Sequence, residues 1–299
     1  MPDIAIVTDS NSGITQEEAE QLGIVVVPMP FFIDDKIHFE GIDLSQADFY
    51  HSLESGCKVS TSQPSPGDLM ELWKKLLSNH DELVYIPMSS GLSASCETAA
   101  ALAADFNHRV FVVNNKRISV TMRQSILDAL RLSKAGYSGR QIKEILEKES
   151  LQASIYLMVN TLEYLKKGGR ITPAAAMIGT VLNLKPVLTI QGDKLDAYAK
   201  VRGVKQARKV MIEAMKKDID TRFKEPYKKG QMCLDIAYSY GQDEAVDIWR
   251  NEVVSSFPTL ETEESLLSLS VVCHTGPGVL AIACSKKPDL SAYPIDNHR

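Results

Sequence analysis

The chain has 299 residues, 44% of them hydrophobic and 24% charged, the balance of an ordinary soluble protein with one large domain or two of moderate size. Its 38 acidic residues outnumber 33 basic ones for a net charge of −5, and the basic ones are scattered, which speaks against nucleic acid as a partner. No run approaches the ~20 apolar residues of a membrane span; five widely spaced cysteines without a CxxC pair argue against a disulfide framework or a Cys-rich zinc site, and six histidines show no paired-ligand spacing.

No secretion leader is read in Met1-Pro2-Asp3-Ile4, so the expected location is cytoplasmic, with no metal and no cofactor. The first apolar run, residues 4–7, ends in Thr8-Asp9-Ser10-Asn11-Ser12-Gly13 and leads into a helix from about Thr15. Ligands of open α/β sheets bind beyond the carboxyl ends of the strands, so Asp9 and Ser10 stand where a site would form. They can equally well just shape the turn. A β-rich run over 24–33 carries Pro28 and Pro30, which push it towards a sheet edge, and Asp34-Asp35-Lys36 breaks it. A helix is expected over 45–55, followed by a loop over 58–67 that holds the hydroxyls of Ser60, Thr61, Ser62 and Ser65 and is stiffened by Pro64 and Pro66. Beyond it the pattern predicts a helix over 68–79, a strand at 83–88, a helix over 96–105, a strand at 110–113 and helices over 119–135 and 138–149.

The alternation changes after about residue 150. A strand is expected at 155–159, a short helix over 162–171 stopped by Gly168 and Gly169, a small apolar helix over 173–182, and a hairpin of 185–190 with 195–199 around a polar turn. A helix over 203–217, a strand at 234–239, a helix over 243–255 and strands at 265–272 and 278–284 complete the chain. The fold class is therefore α/β with two domains: a mostly parallel sheet covered by helices over residues 1–160, and a mixed α/β domain over 161–299, with the ligand cleft between them.

Within this frame, Ser89-Ser90-Gly91-Leu92-Ser93-Ala94-Ser95 follows a strand and opens a helix. Hydroxyls and unpaired helix N–H groups in one small volume suit a carboxylate or phosphate, although Ser is also an ordinary helix cap. Arg170, behind two glycines, offers a planar fork for an oxyanion or a normal helix C-terminal charge. His274, in Cys273-His274-Thr275-Gly276-Pro277-Gly278 between two expected strands, is a switchable donor or a structural histidine. No GxxxxGK[ST], GxGxxG or GxSxG motif survives inspection.

Thr8-Asp9-Ser10, Thr61-Ser62-Gln63-Pro64-Ser65, Ser89-Ser90-Gly91-Leu92-Ser93, Leu162 to Ile171 with its Lys166-Lys167-Gly168-Gly169-Arg170, and His274-Thr275-Gly276-Pro277-Gly278 stand in the order and spacing of the DegV family, which the chain resembles over nearly its whole length. The resemblance implies a buried tunnel between the domains that holds one long-chain fatty acid, such as palmitate or oleate, and presents it to a separate fatty acid kinase that forms the acyl phosphate. The binding protein would itself catalyse nothing. Carried over by residue, the resemblance puts the carboxylate against Thr61 and Ser93, with Arg170, His274, Ser62 and Asp9 near the head group or serving presentation to the kinase. Two departures stand out. Ala94-Ser95 replaces the family's common Gly-Thr after Ser93, and Asn114-Asn115-Lys116-Arg117 brings two positive charges into a loop that is commonly Asp-Ser or Asp-Thr, so tunnel shape or partner contact is expected to differ. The other readings are a hydrolase or phosphotransferase using Asp9, Ser93 and His274, and a regulatory protein in which a lipid is only structural.

Overall fold

The computed structural model describes residues 2–177 and 184–294. β1 (Ile4–Asp9) and β2 (Val25–Val27) flank α1 (Gln16–Leu22), which Thr15 caps by accepting the Glu18 N–H. The run expected over 24–33 divides at Pro28-Met29, because a proline cannot donate to a ladder. Its second half, β3 (Pro30–Ile33), leaves the first sheet and forms a hairpin with β4 (Lys36–Phe39) through Asp34 and Asp35 at φ 46° and 69°. After α2 (Gln46–Glu54), the expected loop over 58–67 opens with a strand, β5 (Val59–Thr61), since β3 offers it a free edge; the small sheet runs β4-β3-β5. Ser65 then caps α3 (Pro66–Leu76), with Pro66 in the first turn where its missing N–H costs nothing.

β6 (Glu82–Ile86), α4 (Ser95–Ala103), β7 (Val110–Val112), α5 (Ser119–Lys134) and α6 (Gly139–Lys148) complete this part. The four strands β2-β1-β6-β7 are all parallel. One face packs Ile6, Val84 and Ile86 against Met122, Ile126, Ile142 and Ile145 of α5 and α6; the other packs Val7, Leu83 and Tyr85 against Trp73 and Ala99 of α3 and α4. A parallel sheet buried on both faces is what its near-continuous apolar strands require.

β8 (Ala153–Met158), α7 (Glu163–Gly168), α8 (Pro173–Ala176), β9 (Leu184–Ile190), β10 (Asp196–Arg202), α9 (Val204–Asp220), α10 (Lys224–Lys228), β11 (Met232–Tyr238), α11 (Asp243–Ser256), β12 (Thr262–Leu266), α12 (Leu269–Thr275) and β13 (Leu280–Lys286) follow. Six strands form a mixed sheet, β10-β9-β8-β13-β11-β12, in which only β11 and β12 run parallel. Tyr156, Leu234, Ile236 and Ile282 on one face pack against Met211 and Met215 of α9 and Trp249 of α11. The opposite face, with Ile155, Leu157, Ala237 and Ala281, turns towards the carboxyl end of the parallel sheet.

β8 sits inside the second sheet, so sheet membership changes at Ala153. One expectation changes. The strand expected at 265–272 stops at Leu266, and Leu269–Thr275 is helical. The reason is tertiary: Leu269, Val272 and Cys273 bury one helical face, and the Glu40 carboxylate accepts the Leu269 N–H at 2.8 Å, capping a helix that β-branched residues alone would not form. The helix expected over 173–182 is observed for Pro173–Ala176; residues 178–183 lie outside the described residues.

Candidate functional site

The carboxyl ends of β1 and β6 and the start of α5 face the second sheet across a cavity of about 240 Å³, closed at the sides by α7 and α12. Its walls are apolar for most of their length: Leu92, Ile118 and Val120 from the first part, Ile155, Leu157, Ile190 and Leu195 from the second. The floor is low because Ala237 pairs with Ala281 across β11 and β13, and Ala283 is the next inward residue on β13. Larger side chains there would fill the space.

Several polar side chains of the lining are linked to one another. Thr61 stands at the tip of β5, and its Oγ1 lies 2.8 Å from His274 Nε2 on the last turn of α12. Ser62 and Gln63 line the cavity beside it, Ser62 with its N–H on the Pro30 carbonyl and Gln63 accepting from the Thr98 hydroxyl. Ser93 faces them from the turn after β6, where the Leu92 and Ser93 N–H groups both bond the Ser89 carbonyl. The Ser93 hydroxyl accepts the Ser95 N–H at 3.2 Å, so capping and lining are combined in one side chain. Gly91 makes a close approach possible here: a Cβ there would stand 2.6 Å from Asp193 Cα, and the Ser89 hydroxyl donates to the Gly192 carbonyl, so the tip of the β9–β10 hairpin is seated on the turn.

Arg170 joins this group behind the αL residue Gly169; its Nε donates to the Leu92 carbonyl at 3.2 Å and its Nη1 to Gly168. Burial pulls the Arg170 pKa down, as expected for a cation held partly out of water. His274 is pushed down to about 4, first by burial and then by the Arg170 charge, so its imidazole is neutral at pH 7. It stands at a helix end and not between two strands. Thr61, Arg170 and His274 also line a second hollow, together with Cys57, Lys58, Glu163, Tyr164 and Lys167.

Five of the six residues singled out in the sequence thus come together: Thr61, Ser62, Ser93, Arg170 and His274. Asp9 does not line the cavity. It is fully buried, accepting the Asn11 N–H at 2.9 Å, the Asn11 side-chain amide at 2.7 Å and the Met88 N–H at 3.0 Å, and so ties the end of β1 to the end of β6. Burial raises its carboxyl to about 6 against the pull of these bonds. A Ser93–His274–Asp9 triad is not assembled, because His274 Nε2 is engaged by Thr61 and Nδ1 has no partner. The Asn114–Arg117 loop does not present two charges either. Arg117 is turned inward onto the Ser125 hydroxyl and the Glu149 and Ser150 carbonyls, leaving Lys116 alone near the surface. Ala94 lines the cavity beside Ser93 in helical backbone, φ −72° and ψ −5°, where a methyl is unstrained.

Sequence reasoning missed Asn11, whose carbonyl oxygen accepts from Ser270 at 2.7 Å inside the cavity wall, and Ser119, held at φ 54° in the same wall. Asn11 lay within a block already noted. Nothing in the pattern around Ser119 signals a left-handed backbone. Among the described residues no cluster of potential metal ligands forms, and no helix is long and apolar enough to cross a membrane.

Compared with known proteins, residues 3–287 match the model of a family described as "Uncharacterised protein, DegV family". A DegV domain-containing protein of Deinococcus radiodurans is 30% identical over 281 residues, 94% of this chain and 97% of its own. Protein DegV of Bacillus subtilis is 30% identical over 284 residues, 93% and 98% of the two chains. Among solved structures, a DegV family protein from Thermus thermophilus described for its fatty acid binding superposes with a TM-score of 0.84 at 30% identity, covering 95% of this chain and 99% of its own. DegV from B. subtilis, described as a fatty acid binding protein, superposes with a TM-score of 0.83 at 28% identity, covering 96% and 100%.

Proposed function

The chain belongs to the DegV family, and from that premise we propose that it binds a long-chain fatty acid in the cavity, carboxylate between Thr61 and Ser93, and presents that head group to a separate fatty acid kinase for acyl-phosphate formation. The observation that carries this reading is the lining of the cavity: apolar walls and an alanine floor for an alkyl chain, with Thr61 bonded to His274 and Arg170 bonded to the turn that carries Ser93, while Asn11 and Ser270 in the wall satisfy each other. An alkyl tail needs nothing but apolar surface, about 0.8 kcal/mol for each methylene removed from water. A carboxylate taken out of water needs donors in compensation, and the Thr61 and Ser93 hydroxyls with the Arg170 fork supply them. The second hollow, which brings Lys58 and Lys167 beside Glu163 next to Thr61 and His274, is on this proposal the side from which the kinase would approach. In this reading the protein itself forms and breaks no bond.

The test begins with native mass spectrometry of the purified protein, where one fatty acid per chain is expected. After delipidation, titration with palmitate and oleate should give one site, with Thr61→Val and Ser93→Ala each weakening binding by about tenfold to a hundredfold, since a hydrogen bond to a charged group contributes about 1.5–3 kcal/mol. A delipidated protein that takes up neither acid sinks the proposal. Kinase presentation is tested separately, by adding a fatty acid kinase and following acyl-phosphate formation on loaded protein. No turnover with a kinase that accepts other family members would remove that half.

A further inference from the structure

His274 touches the site through Thr61, and the two ring nitrogens meet different surroundings. Nε2 is 2.8 Å from Thr61 Oγ1, while Nδ1 is buried without a partner and faces the backbone of Gly168. A Cβ on Gly168 would collide with Nδ1 and stand 3.1 Å from Cε1 and 3.3 Å from Cγ. No side chain fits there. A proton on Nδ1 would therefore press against the chain with nothing to accept it, whereas a bare lone pair leaves only an unused acceptor, the less costly of the two orphans. Thr61 adds an independent constraint. A carboxylate is acceptor-only, so a hydroxyl that binds it must spend its proton on it and accept from its other neighbour.

We infer that Gly168 is a positioning residue that fixes His274 as its Nε2–H tautomer, so that the imidazole donates to Thr61 and the Thr61 proton is aimed at an acceptor in the cavity. This rests on the carboxylate-binding reading for the identity of that acceptor, but the tautomer follows from the protein alone. Gly168 also holds the neighbouring cation: its carbonyl accepts from Arg170 Nη1, so one residue sets both the direction of the Thr61 proton and the place of the guanidinium. Gly168 lies on the last turn of α7 at ordinary helical φ, unlike Gly169 at 68° with open space around its Cβ position. The pair is thus a matched comparison. Alanine at 168 meets His274 without backbone strain; alanine at 169 is strained without meeting anything.

Long-range ¹H–¹⁵N correlation of the histidine rings in the ligand-free protein at pH 7, assigned with His274→Gln, should give the neutral Nε2–H pattern for His274. An Nδ1–H or imidazolium pattern overturns the inference. Gly168→Ala should change that pattern and weaken palmitate binding about as much as Thr61→Val, with no further loss when the two are combined. Gly169→Ala should lower the melting temperature while leaving both the His274 pattern and palmitate affinity unchanged. Equal loss from the two glycine variants, or full additivity of Gly168→Ala with Thr61→Val, would mean that Gly168 only stabilises the helix. If no fatty acid binds at all, the ring pattern still decides the tautomer, so the two readings fail separately.

Discussion

Buried ionisable side chains in this protein carry opposite pH dependences. Asp235 on β11 is buried with Oδ2 unpartnered, and burial lifts its carboxyl from 3.8 to about 7 against the pull of the Arg123 charge. Its folded state holds a proton that the unfolded chain has already lost, so its contribution is complete below about pH 3.8 and declines as pH rises towards 7. Asp235→Asn is expected to gain on the parent protein across that window and to level off above it, by on the order of a few kcal/mol, read as the difference in melting temperature from pH 4 to 8. A difference that stays flat with pH would show that this carboxyl is ionised in the fold. His274 has the reverse sign. Its folded pKa of about 4 lies below the ordinary 6.5, so the stability tied to the neutral ring is complete above 6.5 and is lost as pH falls towards 4. Acid should therefore loosen the packing around His274 while it relieves Asp235.

At the scale of elements, the alanines of β11 and β13 keep the cavity open, and under the proposed function they would set how much acyl chain it can take. Ala281 faces it from mid-strand, between Ala237 and Leu157 in neighbouring register. Ala281→Leu should place three more carbons in the tunnel, lower affinity for sixteen- and eighteen-carbon acids by tenfold or more, and spare shorter acids. Overpacking would cost about 1–3 kcal/mol in the empty protein. Unchanged preference across a chain-length series would mean that the tail runs elsewhere. The strands that build this floor were legible in the sequence, as were the β9–β10 hairpin, α5 and α6, because period and length suffice for long regular elements. β5 and α12 were not. Each owes its conformation to a distant residue: β5 to the edge of β3, α12 to the carboxylate of Glu40. The site shows the same division. Thr61, Ser93, Arg170 and His274 could be named from short blocks, but the Thr61–His274 bond spans 213 residues, and no local pattern indicates which ring nitrogen makes it. The bonding of Asp9 was hidden for the same reason, since Met88, its partner in the turn after β6, is 79 residues away.

For the whole molecule, a ligand that fills a cavity between two sheets favours the state in which they meet. At a hundredfold excess over Kd this linkage is worth about 2.7 kcal/mol, so palmitate should raise the melting temperature of delipidated protein by roughly 5–10 °C. A shift below 1 °C at that excess would show binding outside the closed cavity. The hairpin tip at Gly192 and Asp193 belongs to the second sheet, yet it is seated on Gly91 and bonded to Ser89, in the turn that carries Ser93. Parting the sheets at this point must pull on that turn and shift the Ser93 hydroxyl. Under the proposed function, with Ser93 as the anchor of a bound fatty acid, release of the ligand and loss of its anchor would then be one mechanical event, because the grip would weaken in the act of opening.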